Sequence, residues 1–228
     1  MIQYPIIHRA SSEPSIRFSF STAGRRRKTG ASELGAFSRV FKLGLEHIYE
    51  DVCIVIDGHR YEPDLAYIDK ERGIYVDIEI DEPYTGNHHP THYVSARGIH
   101  KDAKRNEAFC RAGWHVVRFT ERQMFCEPKA CMKVVYDLLL SIEAISSLPA
   151  CLCDISLPKA EPALTYEIAK QYSHERYRKT YLGYEPVDMD AVSYLRCCML
   201  IIPILFQSMT SARVRKMLFC QLKGFFIR

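Results

Sequence analysis

The sequence predicts an α/β domain built on a mixed central sheet flanked by helices, followed by a helical extension. Three observations lead there. Residues 52–81 hold three β-rich runs parted by the short turn signals "DG" (57–58) and "DKERG" (69–73). A helical stretch, "KDAKRNEAFCRAGW", then leads straight into a further strand, "WHVVRFT", and a strand–helix–strand crossover implies parallel pairing with a helix on the sheet face. At 228 residues, with 47% hydrophobic and 25% charged residues, the chain has the composition of an ordinary globular protein with room for one proper core.

Taken in order, residues 1–30 hold Ser, Gly, Pro and the run "GRRRK" (24–28) without a sustained apolar period, and read as a flexible basic arm. Leu34, Phe37, Phe41, Leu45 and Ile48 then recur at steps of three and four behind Ser32, the pattern of an amphipathic helix with an N-cap. The three β-rich runs follow as antiparallel neighbours. Residues 82–100 are rich in turn formers and histidine. The helix after them is closed by Gly113, and the strand "WHVVRFT" precedes a long helix opened by Pro128. The domain therefore spans 31–147. Residues 148–190 read as a linker and helical extension ending near Gly183, and 191–228 as an apolar and basic tail of separate character.

That tail carries six basic residues and no acid, so the net charge of +4 conceals a charge of −2 over residues 1–191. Its uncharged stretch 197–212 is broken by Pro203 and is shorter than the roughly 20 residues a bilayer span wants, so a membrane anchor is not expected. Nine cysteines, an odd number, and an N-terminus without the basic-then-apolar pattern of a signal peptide point to a reduced, cytoplasmic setting. Cys126, Cys131, Cys151 and Cys153 lack a CxxC pair and read as ordinary thiols rather than a zinc site.

The chemistry concentrates in "PDLAYIDKERGIYVDIEIDEPY" (63–84), which holds seven carboxylates. Asp77, Glu79 and Asp81 alternate with Val76, Ile78 and Ile80, so on a strand the acids share one face. Like charges about 7 Å apart repel by about 0.6 kcal/mol in water and about 2.4 kcal/mol at an effective dielectric of 20. Bulk water, basic side chains or a divalent cation must relieve that. Asp64 lies on the run before, which the short "DKERG" connection brings alongside, and carboxylates from two adjacent strands make a cleft suited to Mg²⁺. On the following helix Asp102, Arg105 and Asn106 share a face, and Arg118 lies on the adjoining strand; the two arginines suit either phosphate or the acidic cluster.

"PD" at 63–64, "EID" at 79–81 within "IEIDEPY", and "KDAKRNEAFCRAGWHVVRFTERQ" together resemble the PD-(D/E)xK nuclease superfamily, with its restriction-endonuclease-like αβββαβ core. More narrowly they look like the group that includes very short patch repair enzymes and DUF559-type domains. The resemblance covers about residues 32–140. It implies a metal-dependent endonuclease acting on DNA, with Asp64, Glu79 and the Ile80 carbonyl as ligands of Mg²⁺, Mn²⁺ being a substitute, and Glu33 as the acidic residue of the preceding helix. His92, in "PTHY", is the loop histidine placed to act on a leaving group. The chain departs from the pattern at Asp81, where the superfamily keeps a lysine. Its role then passes to Lys101, Lys104 or Arg105, or Asp81 ligates a second metal, or the domain is a catalytically inactive nucleic-acid-binding or assembly module. Lys101, Arg105 and Arg118 are the expected phosphate contacts. With no helix-turn-helix or zinc finger in view, targeting by a partner subunit or as a homodimer is expected.

Overall fold

A computed structural model describes residues 2–22, 46–95 and 102–184. It divides the chain into two units, Met1–Val187 and Asp188–Arg228, and every described residue belongs to the first. The expected tail 191–228, the run 24–28, and most of the helix expected over 32–48 lie outside the described residues.

The hairpin signals act locally as their chemistry dictates. Strands β5 (Cys53–Ile56) and β6 (His59–Tyr61) are joined by Asp57 and Gly58, whose φ values of 49° and 76° make the doubly left-handed turn that Asp-Gly favours. Strands β7 (Leu65–Asp69) and β8 (Ile74–Asp81) form a second antiparallel hairpin, with Gly73 at φ 68° closing the loop. The middle β-rich run is nonetheless two strands. Pro63 has no N–H to give a ladder, and the chain switches sheets there. β6 stays with β5, while β7 joins the central sheet.

Three further strands come from the segment expected as an arm: β1 (Gln3–Tyr4), β2 (Ile6–His8) and β3 (Phe18–Ser21). β2 pairs antiparallel with β9 (Trp114–Thr120), and β3 pairs with β5. Residues 2–22 are thus part of the fold, because the edges of β9 and β5 offer backbone partners that a period search of the segment does not reveal. Ile48, expected at the end of the first helix, belongs to the short strand β4 (Ile48–Tyr49), which pairs with β7.

The result is a mixed α/β architecture. The central five-stranded sheet runs β2-β9-β8-β7-β4, antiparallel throughout except for the parallel β8/β9 pair, and a second sheet runs β3-β5-β6. Helix α1 (Ala103–Arg111) makes the crossover between β8 and β9, and Gly113 follows its end at φ 87°. Helix α2 (Glu121–Cys126) opens on a capping box between Thr120 and Gln123, and α3 (Pro128–Ser141) begins on its proline. A short α4 (Ala150–Cys153) and a strand β10 (Glu161–Pro162), paired with β1, lead to α5 (Tyr166–His174) and α6 (Arg178–Leu182). Among the described residues no helix is long and apolar enough to cross a membrane.

Both faces of β8 are covered. Val76, Ile78 and Ile80 pack with Val117 and Phe119 against the α3 residues Val135, Leu138 and Leu139. The other face carries Asp77, Glu79 and Asp81, in register with Val116, Arg118 and Thr120 of β9. Trp114, Val116 and Ala66 continue that face, under Phe109 of α1 and Ile54 and Ile56 of the second sheet. The acids of β8 are therefore roofed by the helix that carries Asp102, Arg105 and Asn106.

Candidate active site

The register leaves Asp77 completely buried and Asp81 only 4% exposed, so bulk water does not relieve the repulsion along β8. Two arginines do. From α1, Arg105 donates from Nη1 to Asp77 Oδ2 at 2.6 Å and from Nη2 both to Asp77 Oδ1 at 3.1 Å and to Glu79 Oε1 at 2.6 Å. Its guanidinium lies 4.4 Å from the ring centre of Phe109 and 5.9 Å from that of Tyr61, which holds its plane. From β9, Arg118 donates from Nε and Nη2 to the two oxygens of Asp81, at 2.9 and 2.5 Å. Asp102 and Asn106 complete its shell at 3.0 and 3.1 Å.

The two clusters are satisfied to different degrees. Around Arg118, the Tyr4 hydroxyl donates to Asp81 Oδ2 at 2.6 Å, and His92 Nδ1 lies 2.7 Å from Asp102 and 3.2 Å from Asp81. Burial disfavours the imidazolium, but Asp81, Asp102 and Glu82 outweigh it and raise the His92 pKa. Burial likewise would raise the Asp81 carboxyl, yet the His92 and Arg118 charges hold it below the ordinary carboxylate range. Around Arg105, one guanidinium serves two carboxylates. Burial wins at Glu79, whose pKa is pushed up to about 8, with Arg105 opposing the shift and Asp77 adding to it.

Asp64 stands one residue before β7, where Leu65 is opposite Ile78. Its Oδ2 accepts the backbone N–H of Ile80 at 2.7 Å, which fixes the carboxylate beside the Glu79–Ile80 peptide. The structure thus brings Asp64 to the Ile80 backbone, one residue after Glu79. Asp81 stands apart from that use: Arg118, Tyr4 and His92 already engage it, so it is not left to ligate a second ion. Arg118 is completely buried and spends its donors on Asp81, Asp102 and Asn106, which corrects its expected role at phosphate. Arg105 is likewise turned inward onto carboxylates. Lys104 is exposed on α1, and His92 is part of the Arg118 cluster. Glu33 and Lys101 lie outside the described residues.

Among the described residues Asp81, His92 and Asp102 bring ligand atoms within 4.8 Å of one another. Arg118 Nη2 lies 2.5, 3.3 and 3.0 Å from Asp81, His92 and Asp102. A guanidinium already fills the cationic position, and this trio does not fit a metal. Asp64 and Glu79 offer hard oxygen donors, the type that suits Mg²⁺, which asks for only one or two carboxylates, and Glu79 shares its cation, Arg105, with Asp77. The four cysteines 126, 131, 151 and 153 are free thiols and form no ligand group among the described residues.

Local reading of the sequence missed two residues that complete these networks. Tyr4 reaches Asp81 across 77 positions, and nothing around it signals that. Glu121, completely buried, receives Arg178 Nε at 2.7 Å and the Tyr181 hydroxyl at 2.6 Å, while Arg178 Nη1 donates to the Tyr84 carbonyl at 2.9 Å. That network ties α6 to the segments that follow β8 and β9. The Thr120–Gln123 capping box that encloses Glu121 is a local signal for the helix start, not for the distant partners of Glu121. No family model, curated protein or solved structure matches the chain.

Proposed function

We propose that the chain is a metal-dependent endonuclease hydrolysing DNA phosphodiester bonds, with Asp64, Glu79 and the Ile80 carbonyl holding Mg²⁺ or, in its place, Mn²⁺. The observation that carries this reading is geometric: one guanidinium, Arg105, serves both Asp77 and Glu79, next to the Ile80 backbone that Asp64 engages. Burial outweighs Arg105 at the half-buried Glu79 and pushes its pKa up to about 8, and a carboxyl so perturbed beside a like charge marks a functional site. When bound, the divalent ion would supply Lewis-acid polarisation of the phosphate and a water of lowered pKa.

The chain's own residues supply the remainder. Asp64 is oriented by the Ile80 N–H and Glu79 by Arg105. Asp81 stands where the superfamily keeps its lysine, and the positive charge nearest Glu79 is that of Arg105, which is engaged in holding the Asp77 and Glu79 carboxylates. Lys104, exposed one position before it, meets the phosphate backbone as a point charge. Target choice falls to the structure of the substrate or to another subunit.

The buried, fully paired Asp81 also favours a second reading, a catalytically inactive nucleic-acid-binding or assembly module. One experiment separates the two. Plasmid, single-stranded and branched DNA are incubated with Mg²⁺, Mn²⁺ or chelator, using the native chain, Asp64→Asn and Glu79→Gln. The nuclease reading expects metal-dependent cleavage by the native chain and its loss, with the fold retained, in both variants. Cleavage that survives both substitutions sinks the assignment. DNA binding without cleavage in any metal gives the second reading.

A further inference from the structure

A cavity of about 210 Å³ opens where the parallel strands β8 and β9 end, bounded by Asp81 and Glu82 on one side and Thr120 and Glu121 on the other. Crevices beyond the carboxyl ends of parallel strands are the usual ligand sites of α/β sheets. This one is smaller than the ~300–1,000 Å³ of drug-sized sites, and suits one flat ring system rather than a whole nucleotide pair. The helical extension builds its wall. Tyr172 and Tyr177 stack at 4.0 Å between ring centres, and Tyr181 meets Tyr177 edge-on at 5.5 Å. Tyr181 is held by Glu121, so the wall is fixed to the sheet through the buried Glu121–Arg178 pair.

The polar groups of the cavity are unequal. Asp81 is bound by Arg118, Glu121 by Arg178, and Glu161 by Arg122 Nη1 at 2.7 Å. Among the described residues the Glu82 carboxyl meets His92 Nε2 at 3.7 Å, feels the more distant Arg178 charge and accepts a hydrogen bond from its own backbone, without a close cation of its own. Of the four lining acids it is the one without an arginine at ion-pair distance, so an oxygen of its carboxyl can serve a ligand. Lys159 lines the same cavity and is exposed. Glu82 also follows Glu79 by three residues on an extended segment, about 10 Å along the chain direction.

We propose that this cavity receives one unpaired nucleobase of the bound strand, stacked on the Tyr172–Tyr177–Tyr181 wall, with the Glu82 carboxyl accepting from the exocyclic amino group of adenine or cytosine. The proposal rests on the nucleic-acid reading above. Stacking between aromatic side chains and hydrogen bonds to the base edge are the way extruded and single-stranded bases are read, and a carboxyl accepts from an amino group that thymine lacks. Lys159 at the mouth suits the phosphate that follows the base.

The test measures the affinity of fluorescein-labelled oligo-dA, oligo-dC and oligo-dT by anisotropy, in chelator so that no strand is cut, and again with Mg²⁺. The native chain is expected to bind oligo-dA and oligo-dC more tightly than oligo-dT. Tyr177→Leu should weaken all three about tenfold, the loss of one base–aromatic stack, whereas Tyr177→Phe, which keeps the ring, should bind as the native chain does. Glu82→Met should remove the base preference and Glu82→Gln, which keeps a carbonyl acceptor, should retain it. Equal binding of the three oligonucleotides together with an unaffected Tyr177→Leu overturns the base pocket and leaves nucleic-acid binding standing. No binding of any oligonucleotide, with or without Mg²⁺, overturns the nucleic-acid reading itself and the pocket's ligand with it.

Discussion

Arg105 and Arg118 meet the same acidic face of β8 from different elements, one from the crossover helix and one from the neighbouring strand, and they leave it in opposite conditions. Arg118 closes a network: Asp81, Asp102, Asn106, His92 and Tyr4 are mutually paired. Arg105 is divided between Asp77 and Glu79, and Glu79 stays proton-holding to about pH 8. The first arrangement is what a scaffold needs, since a half-satisfied buried network is worse than an apolar core. The second leaves Glu79 with a shared cation, one residue before the Ile80 N–H that Asp64 accepts. The difference separates the acids that the fold uses from those left for a ligand.

The largest effect expected of this contrast is at the closed network. Arg118→Met leaves the buried Asp81 and the half-buried Asp102 without their guanidinium, and should cost about 3–5 kcal/mol of unfolding free energy. A loss under about 1 kcal/mol by denaturant titration would show that Asp81 has other support. Next comes metal at the open network. Mg²⁺ or Mn²⁺ at a hundred times its dissociation constant should stabilise the native chain by about 2.7 kcal/mol, and the increment should vanish in Asp64→Asn and Glu79→Gln. An equal increment in those variants would move the metal elsewhere.

Glu79→Gln alone, without metal, is expected to raise stability by about 1 kcal/mol near neutral pH, as substitutions that relieve a crowded functional carboxyl do. The sign follows from linkage. A carboxyl whose folded pKa is raised to about 8 from 4.5 contributes most below its unfolded value, and the contribution is lost as the pH climbs toward 8. The melting temperature of the native chain should therefore fall over that window more steeply than that of Glu79→Gln; parallel curves would contradict the assignment. His92 adds a fall of the same direction above its unfolded value of 6.5, since its pKa is raised, and Glu79→Gln should leave that part in place. The smallest effect is expected at Lys104, whose exposed side chain should tolerate Lys104→Ala within about 0.5 kcal/mol. The same change should lower the salt slope of DNA binding by about one.

How much of this was legible in the sequence depends on the range over which each signal acts. Asp57-Gly58, Gly73, Gly113 and Pro128 dictate turns and helix ends through backbone geometry within a few residues, and the structure places a turn or helix end at each. The alternation of β8 told which side chains share a face, because a strand has a period of two. The strand–helix–strand order told that β8 and β9 run parallel. Asp64 and Glu79 could be named together since a four-residue loop leaves adjacent strands no other arrangement. Pro63 carried the news of a sheet switch, but a single breaker within a β-rich run also fits a bulge or an edge.

By itself the sequence determined the elements, their ends, and the crowding of carboxylates on one face. Only the tertiary structure decided which cation meets which acid. The pairing of Arg118 with Asp81 spans 37 positions and that of Tyr4 with Asp81 spans 77, and no local period encodes partners so distant. They are chosen by burial: once α1 roofs β8 and β2 joins β9, a buried charge is tolerated only where a partner of opposite sign already stands.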